Sequence, residues 1–210
     1  MASRPPPPAS PSATPTAIPR LKYIAHYPAS VQAQVRRMID EARLGEHLRT
    51  RHPAAHTVRT DRALYDYVTA LKGEFLRNAD PLAKVAFDSK LHVVRHALGT
   101  HTTISRVQGG KLKAKREIRV ASLFKAVPDA WLRMIVVHEL AHMKERDHDR
   151  AFYALCTHME PDYHQHEFDL RLYLTHLEAG GARLWGEDQG AEVDAGSMRT
   201  TTKRPSTFPA

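Results

Sequence analysis

The sequence predicts an α+β fold in which helices are followed by a small, mostly antiparallel sheet and then by more helices. Three observations carry that expectation. Apolar residues recur at helical spacing before residue 80, as in Leu64, Val68, Leu71 and Phe75. Between residues 84 and 122 the period shortens toward the alternation of a strand, and Gly109-Gly110 reads as a hairpin turn. Helical spacing returns after Pro128 and lasts to Gly180-Gly181. Strands grouped between two sets of helices imply α+β rather than alternating α/β.

Taken in chain order, residues 1–19 are rich in Pro, Ala and Ser and are expected to be disordered. Residues 20–28 are apolar enough to dock on a domain. Ser30 is a candidate cap for a helix that buries Val31, Val35, Met38, Ile39 and Ala42, with Gly45 interrupting or ending it. Asp61 is a candidate cap for a second helix, which Asn78 and Pro81 end. Residues 20–83 therefore read as an N-terminal helical support layer without a chemical motif. Val85 and Phe87, then Leu91 and Val93, suggest strands around a turn near Asp88-Ser89. Thr102–Gln108 and Lys111–Val120 flank the glycine pair. Asp129 caps the next helix in this reading, a short helix covers about Asp149 to Met159, and Pro161 stops it. A last helix spans Tyr163 to Glu178. Residues 84–182 form the expected chemical domain, and 183–210 are expected to be a disordered tail. There is no internal repeat.

Composition sets the outer limits. A chain of 210 residues with 42% hydrophobic content suits one compact domain. Its single cysteine, Cys156, excludes an internal disulfide framework and fits a reducing compartment; it falls on an apolar helical stretch, where a packed thiol is expected. Met1 to Pro8 lack the apolar region of a signal peptide, and no apolar run is long enough to span a bilayer. The expected location is cytoplasmic, with no membrane partner. The net charge of +8 makes anionic partners worth considering. Part of it lies in Lys111-Leu112-Lys113-Ala114-Lys115-Arg116, where alternation puts three lysines on one strand face. That face could follow a phosphate backbone, or it could guard an edge strand against aggregation.

The chemistry is concentrated in His138-Glu139-Leu140-Ala141-His142, an H-E-x-x-H pattern inside an apolar helical run. With 14 histidines in the chain, such a pattern would arise by chance in about 5% of comparable sequences. The run Trp131 to Val137 lowers that risk, because it buries the helix, and buried histidines and a buried glutamate need partners. Positions i and i+4 share a helix face, so His138 and His142 can both present a ring nitrogen to one Zn²⁺. Glu139 is placed to act as general base on a water that the metal acidifies. His148 is the nearest third ligand, and a carboxylate from a later helix, Glu160 or Glu167, is its rival. Tyr163, His164, His158 and Arg106 are candidate donors to an oxyanion. His164 and His166 point apart on a helix and read as surface or supporting groups; His92, His96 and His101 read as structural.

From His138 to Leu155 the chain resembles the YgjP-like metallopeptidase family, with H-E-L-x-H, five residues, a histidine, three residues and Phe152. Pro161-Asp162-Tyr163 resembles that family's P-x-Y element, and SprT and WLM-type zincins share the core pattern. The resemblance covers roughly residues 84–180. It implies His138, His142 and His148 as zinc ligands, Glu139 as base, and a zincin-like fold with the small sheet beside the active-site helix. In the zincin architecture an edge strand runs alongside that helix and takes an extended peptide, and the 102–120 hairpin is the candidate here. One region departs from the family: where many members carry an R-W-G-S-C-like strand, this chain reads Ile104-Ser105-Arg106-Val107-Gln108-Gly109-Gly110. The leading expectation is a zinc metallopeptidase with a protein or peptide substrate. The alternatives are a DNA-associated zinc protease of SprT or WLM type, and a non-enzymatic nucleic-acid-binding protein stabilised by zinc.

Overall fold

The computed structural model describes residues 21–91, 99–108 and 111–186; for 99–108 and 111–115 it describes the backbone alone. The expectations for residues 1–19 and 187–210, for Val93, His92 and His96, and for the Gly109-Gly110 turn lie outside the described residues. So do those for the side chains of His101, Arg106, Lys111, Lys113 and Lys115.

Among the described residues, six helices and three strands follow in the order α1 (Ala29–Asp40), α2 (Leu44–Arg51), α3 (Asp61–Phe75), β1 (Leu82–Asp88), β2 (Gly99–Gln108), β3 (Lys111–Ala121), α4 (Asp129–Ala141), α5 (Arg150–Met159) and α6 (Tyr163–Glu178). Short 3₁₀ turns, Lys22–Ile24 and Ser122–Ala126, precede α1 and α4. The architecture is mixed α and β. The sheet, however, is not mostly antiparallel. Its order is β1-β3-β2, with β3 central, parallel to β1 and antiparallel to β2. The local alternation around residue 88 suggests a meander, but Leu91 lies outside any strand and the chain passes on to the far edge of the sheet before β3 returns between its neighbours. Such an order depends on pairing across more than thirty residues, and local periodicity carries no record of it.

The helix α4 is the axis of the molecule. Trp131, Leu132, Met134, Ile135, Val136, Val137, Leu140 and Ala141 are all fully buried, so this helix is apolar around nearly its whole circumference. It packs against α3, α5, α6, β2 and β3. Its one cation inside that run, Arg133, binds Glu160 (Nε to Oε2, 2.6 Å) and the Met159 carbonyl (2.9 Å). The first three helices join the same core through Val35, Leu44, Leu48, Leu64 and Val68. They do so on two sides: α2 lies on α6, and α3 lies on β1 and α4.

Several local signals act differently from their simplest reading. The Thr60 hydroxyl accepts from Ala63 N (3.1 Å) and caps α3. Asp61 instead accepts from Phe87 N (2.9 Å) and so ties the start of α3 to β1. Among the described residues no side chain caps α1 or α4, so neither Ser30 nor Asp129 acts as the expected cap. Gly45 does not break a helix. It lies inside α2, where an added Cβ would come within 3.0 Å of His176 and 3.1 Å of Leu184. The joint between α1 and α2 is Ala42, held at φ 55° in the left-handed region. After α6, Gly180 takes φ 88°, a conformation that costs glycine little. Among the described residues no helix is long and apolar enough to cross a membrane.

Candidate metal centre

The C-terminal end of α4 presents His138 and Glu139, and His142 caps the helix. The chain then turns through residues 143–149. Asp149 accepts from Ala151 N (2.9 Å) and Phe152 N (3.0 Å), which starts α5 and fixes the end of that turn. The turn returns His148 to the helix. One donor atom from each of His138, His142 and His148 lies within 4.8 Å of the others, and His148 Nε2 is 3.1 Å from His138 Nε2. Phe152 lies beneath the three rings, with centroid separations of 4.9, 4.6 and 4.6 Å to His138, His142 and His148. His138 is buried and His148 exposed, so the cluster opens toward solvent on the His148 side.

Two hydrogen bonds orient the rings. His142 Nδ1–H donates to the Glu145 carbonyl (3.0 Å). His138 Nδ1 is hydrogen-bonded to the Tyr163 hydroxyl (2.7 Å), which is able to accept from a proton-bearing Nδ1. The Glu145 carbonyl can only accept, so His142 carries its proton on Nδ1 and keeps a lone pair on Nε2; the Tyr163 hydroxyl is compatible with the same tautomer of His138. Burial, together with His142 and His148 nearby, pushes His138 down to about 3. Burial and His148 also lower His142, against the contrary pull of the Glu145 carbonyl. These two rings stay neutral at ordinary pH.

Such a cluster fits a divalent metal ion. Two ring nitrogens 3.1 Å apart share either a proton, as a hydrogen bond between the imidazoles, or a cation, and burial disfavours additional protons on this cluster. Two Zn–N bonds of about 2.0–2.1 Å in a tetrahedral arrangement would put their nitrogens roughly 3.4 Å apart, close to the separation seen. Glu139 adds a further sign. It is 1% exposed, and its Oε2 has no hydrogen-bond partner among the described residues. Burial alone pushes its carboxyl up to about 8. An ionised carboxylate left alone at that depth would cost several kcal/mol, so this oxygen calls for a cation, a water or a substrate group.

The remaining candidates fall elsewhere. Glu160 is held by Arg133, and Glu167 by Arg171, so neither rival carboxylate joins the three histidines. Tyr163 is fully buried behind His138, where it positions a ring and is not presented to an incoming substrate. His164 is exposed, with its ring centroid 5.4 Å from Tyr153 and 5.4 Å from Tyr163. His158 packs edge-on against Phe75, 5.8 Å away. His166 lies 6.1 Å from His52 in a second cluster with Asp169. Cys156 is buried, and burial pushes its thiol up to about 12, as a packed cysteine requires. Sequence reasoning did not find Tyr153 beside His148, at 6.3 Å, because only its i−5 spacing to His148 signals that neighbourhood.

Known proteins give the same centre a context. The model of the family described as YgjP-like, metallopeptidase domain matches residues 94–173, which include His138, Glu139, His142, His148 and Tyr163. An Escherichia coli (strain K12) protein named UTP pyrophosphatase is 58% identical over 164 residues, covering 78% of this chain and 98% of the relative. No solved structure matches. A metallopeptidase domain and a pyrophosphatase are both hydrolytic, and a family of this kind implies a divalent metal. The three-histidine cluster and its adjacent glutamate lie inside the matched range, and on the extent of the identity to that relative the chain belongs to the YgjP-like metallopeptidase-domain family.

Proposed function

We propose that the protein is a zinc-dependent hydrolase that cleaves a phosphoanhydride bond of a nucleoside triphosphate, with UTP as the leading substrate. The observation that carries the substrate is the extent of identity to the relative named UTP pyrophosphatase, which runs through almost the whole of that protein. The pairing of His138, His142 and His148 with Glu139 supports the hydrolytic chemistry. The three imidazoles would hold the ion, which would acidify a water and offset charge on the phosphate oxygens.

This chain's residues then have distinct tasks. Glu139 takes a proton from the attacking water through Oε2, the oxygen left without a partner. The water oxygen forms a bond to the α-phosphorus, and the bond from that phosphorus to the bridging oxygen breaks. Its electron pair leaves with pyrophosphate, which accepts the proton, and UMP remains. Tyr163 and the Glu145 carbonyl keep His138 and His142 in the tautomer that binds. Phe152 excludes water from beneath the rings.

A second reading, peptide-bond hydrolysis with the same roles, has one observation in its favour. The strand β2 is an outer strand of the sheet and packs against α4, where an extended peptide could add to its edge. Phosphorus NMR of UTP incubated with the zinc-loaded protein tests the first reading. Pyrophosphate and UMP should appear, and a chelator should stop them. Inert UTP together with chelator-sensitive cleavage of a peptide library would establish the second reading instead.

A further inference from the structure

We propose that Tyr153 and His164 form a ledge that holds the pyrimidine base of the nucleotide. The proposal rests on the triphosphate reading above. It starts from the aromatic cluster around the centre, in which the rings differ in exposure. Phe152 and Tyr163 are fully buried. Tyr153 is half-buried, its centroid 6.3 Å from His148 and 5.4 Å from the exposed His164, and its hydroxyl has no hydrogen-bond partner among the described residues. A tyrosine serving only as core would bury its ring and satisfy its hydroxyl.

Position completes the argument. Tyr153 comes from α5 and His164 from α6, so the two rings bridge adjacent helices beside the open, His148 side of the cluster. One ribose separates a nucleotide's α-phosphate from its base, and one ring separation takes the surface from His148 to Tyr153. Arg150, three residues earlier and on the same face of α5, is exposed and makes no ion pair among the described residues. It gives that face a cation, which suits a phosphate-bearing ligand. Bases stack on aromatic rings with little regard to hydrogen-bonding pattern, so the ledge provides affinity for a base, and the Tyr153 hydroxyl is free to meet a base or ribose oxygen.

The test is titration of the zinc-loaded full chain with UMP and, as a probe without a base, ribose 5-phosphate. Tyr153→Ala should weaken UMP binding about tenfold relative to ribose 5-phosphate, and Tyr153→Phe, which keeps the ring, should restore binding to within about twofold. Equal weakening of both probes, unchanged UMP binding in Tyr153→Ala, or no UMP binding by the unaltered protein would overturn the ledge. Thermal melting of each variant separates loss of fold from loss of contact. UTP turnover by the unaltered protein is measured alongside. Pyrophosphate release with UMP binding indifferent to Tyr153 removes the ledge alone, whereas UMP binding through Tyr153 without pyrophosphate release removes the proposed reaction.

Discussion

Two clusters of histidines lie against α4, built from similar residues but surrounded differently. At its C-terminal end His138, His142 and His148 turn ring nitrogens toward one another, and among the described residues no carboxylate joins them and Glu139 Oε2 has no partner. On its flank His52, His166 and Asp169 are also close enough to hold an ion. There Asp169 accepts from His52 Nε2 (2.9 Å), Gln165 Nε2 (2.9 Å) and Arg51 Nε (3.1 Å). The Trp131 indole nitrogen lies 3.2 Å from His52 Nε2, and within this cluster only His166 Nδ1 is buried without a partner among the described residues. The flank cluster joins α2 to α6 and already contains a cation. Proximity of donors is therefore a weak guide to a metal; donors without partners inside the protein are a better one.

That contrast can be broken or sharpened by substitutions at four positions. The largest effect is expected for Glu139→Gln, which should keep metal stoichiometry by elemental analysis and lower kcat by about 10²–10⁴-fold. Turnover near normal would remove Glu139 as the base. Next, His148→Ala should weaken metal binding by more than the roughly 100-fold that bounds the loss of a supporting partner. Unchanged affinity in a chelator competition would leave a two-histidine site and a different third ligand.

Asp169→Ala should do the opposite: lower unfolding free energy by about 2–3 kcal/mol, through charge-assisted hydrogen bonds lost from a buried carboxylate, and leave metal affinity alone. A variant that released the metal would merge the two clusters into one functional unit. This contribution also depends on pH. Burial raises the Asp169 pKa, but hydrogen bonds from His52 and Gln165 and the charge of Arg51 outweigh it, so the folded value lies below the ordinary one. Its stabilisation is therefore present above the unfolded pKa of about 3.9 and is lost as pH falls through the lower folded value. The gap in urea stability between the natural chain and Asp169→Asn should narrow below about pH 4. The smallest effect is expected for Tyr163→Phe, which removes the hydroxyl that hydrogen-bonds His138 Nδ1 and should weaken metal binding about tenfold.

What could be read from the sequence follows the range of the interactions. The last helix begins and ends where its pattern predicts, and α5 runs from Arg150 to Met159 against an expected span of about Asp149 to Met159, because both depend on residues within one turn. The meeting of His138 with His142 is equally local. The Tyr163–His138 hydrogen bond spans 25 residues, and no periodicity marks it. Gly45 reads as a helix stop from its propensity and is instead required by the close approach of His176 and Leu184, more than a hundred residues away. The sheet order was hidden for the same reason. The motif also says nothing of the bond to be cleaved, since water activated beside a cation can attack phosphorus or carbonyl carbon alike.

The central position of β3 has a kinetic consequence. Its pairing with β2 begins at Gln108–Lys111, three residues apart, whereas its pairing with β1 joins residues such as Lys84 and Glu117, 33 apart. Closing the longer loop costs more chain entropy before any contact forms to offset it. The β2–β3 hairpin is thus the part of the sheet that forms early, and β1 arrives last along an edge already built. Substitutions in β1 should then change the unfolding rate and hardly touch the folding rate, giving φ-values near zero there, and high φ-values at Val85 would reverse that order.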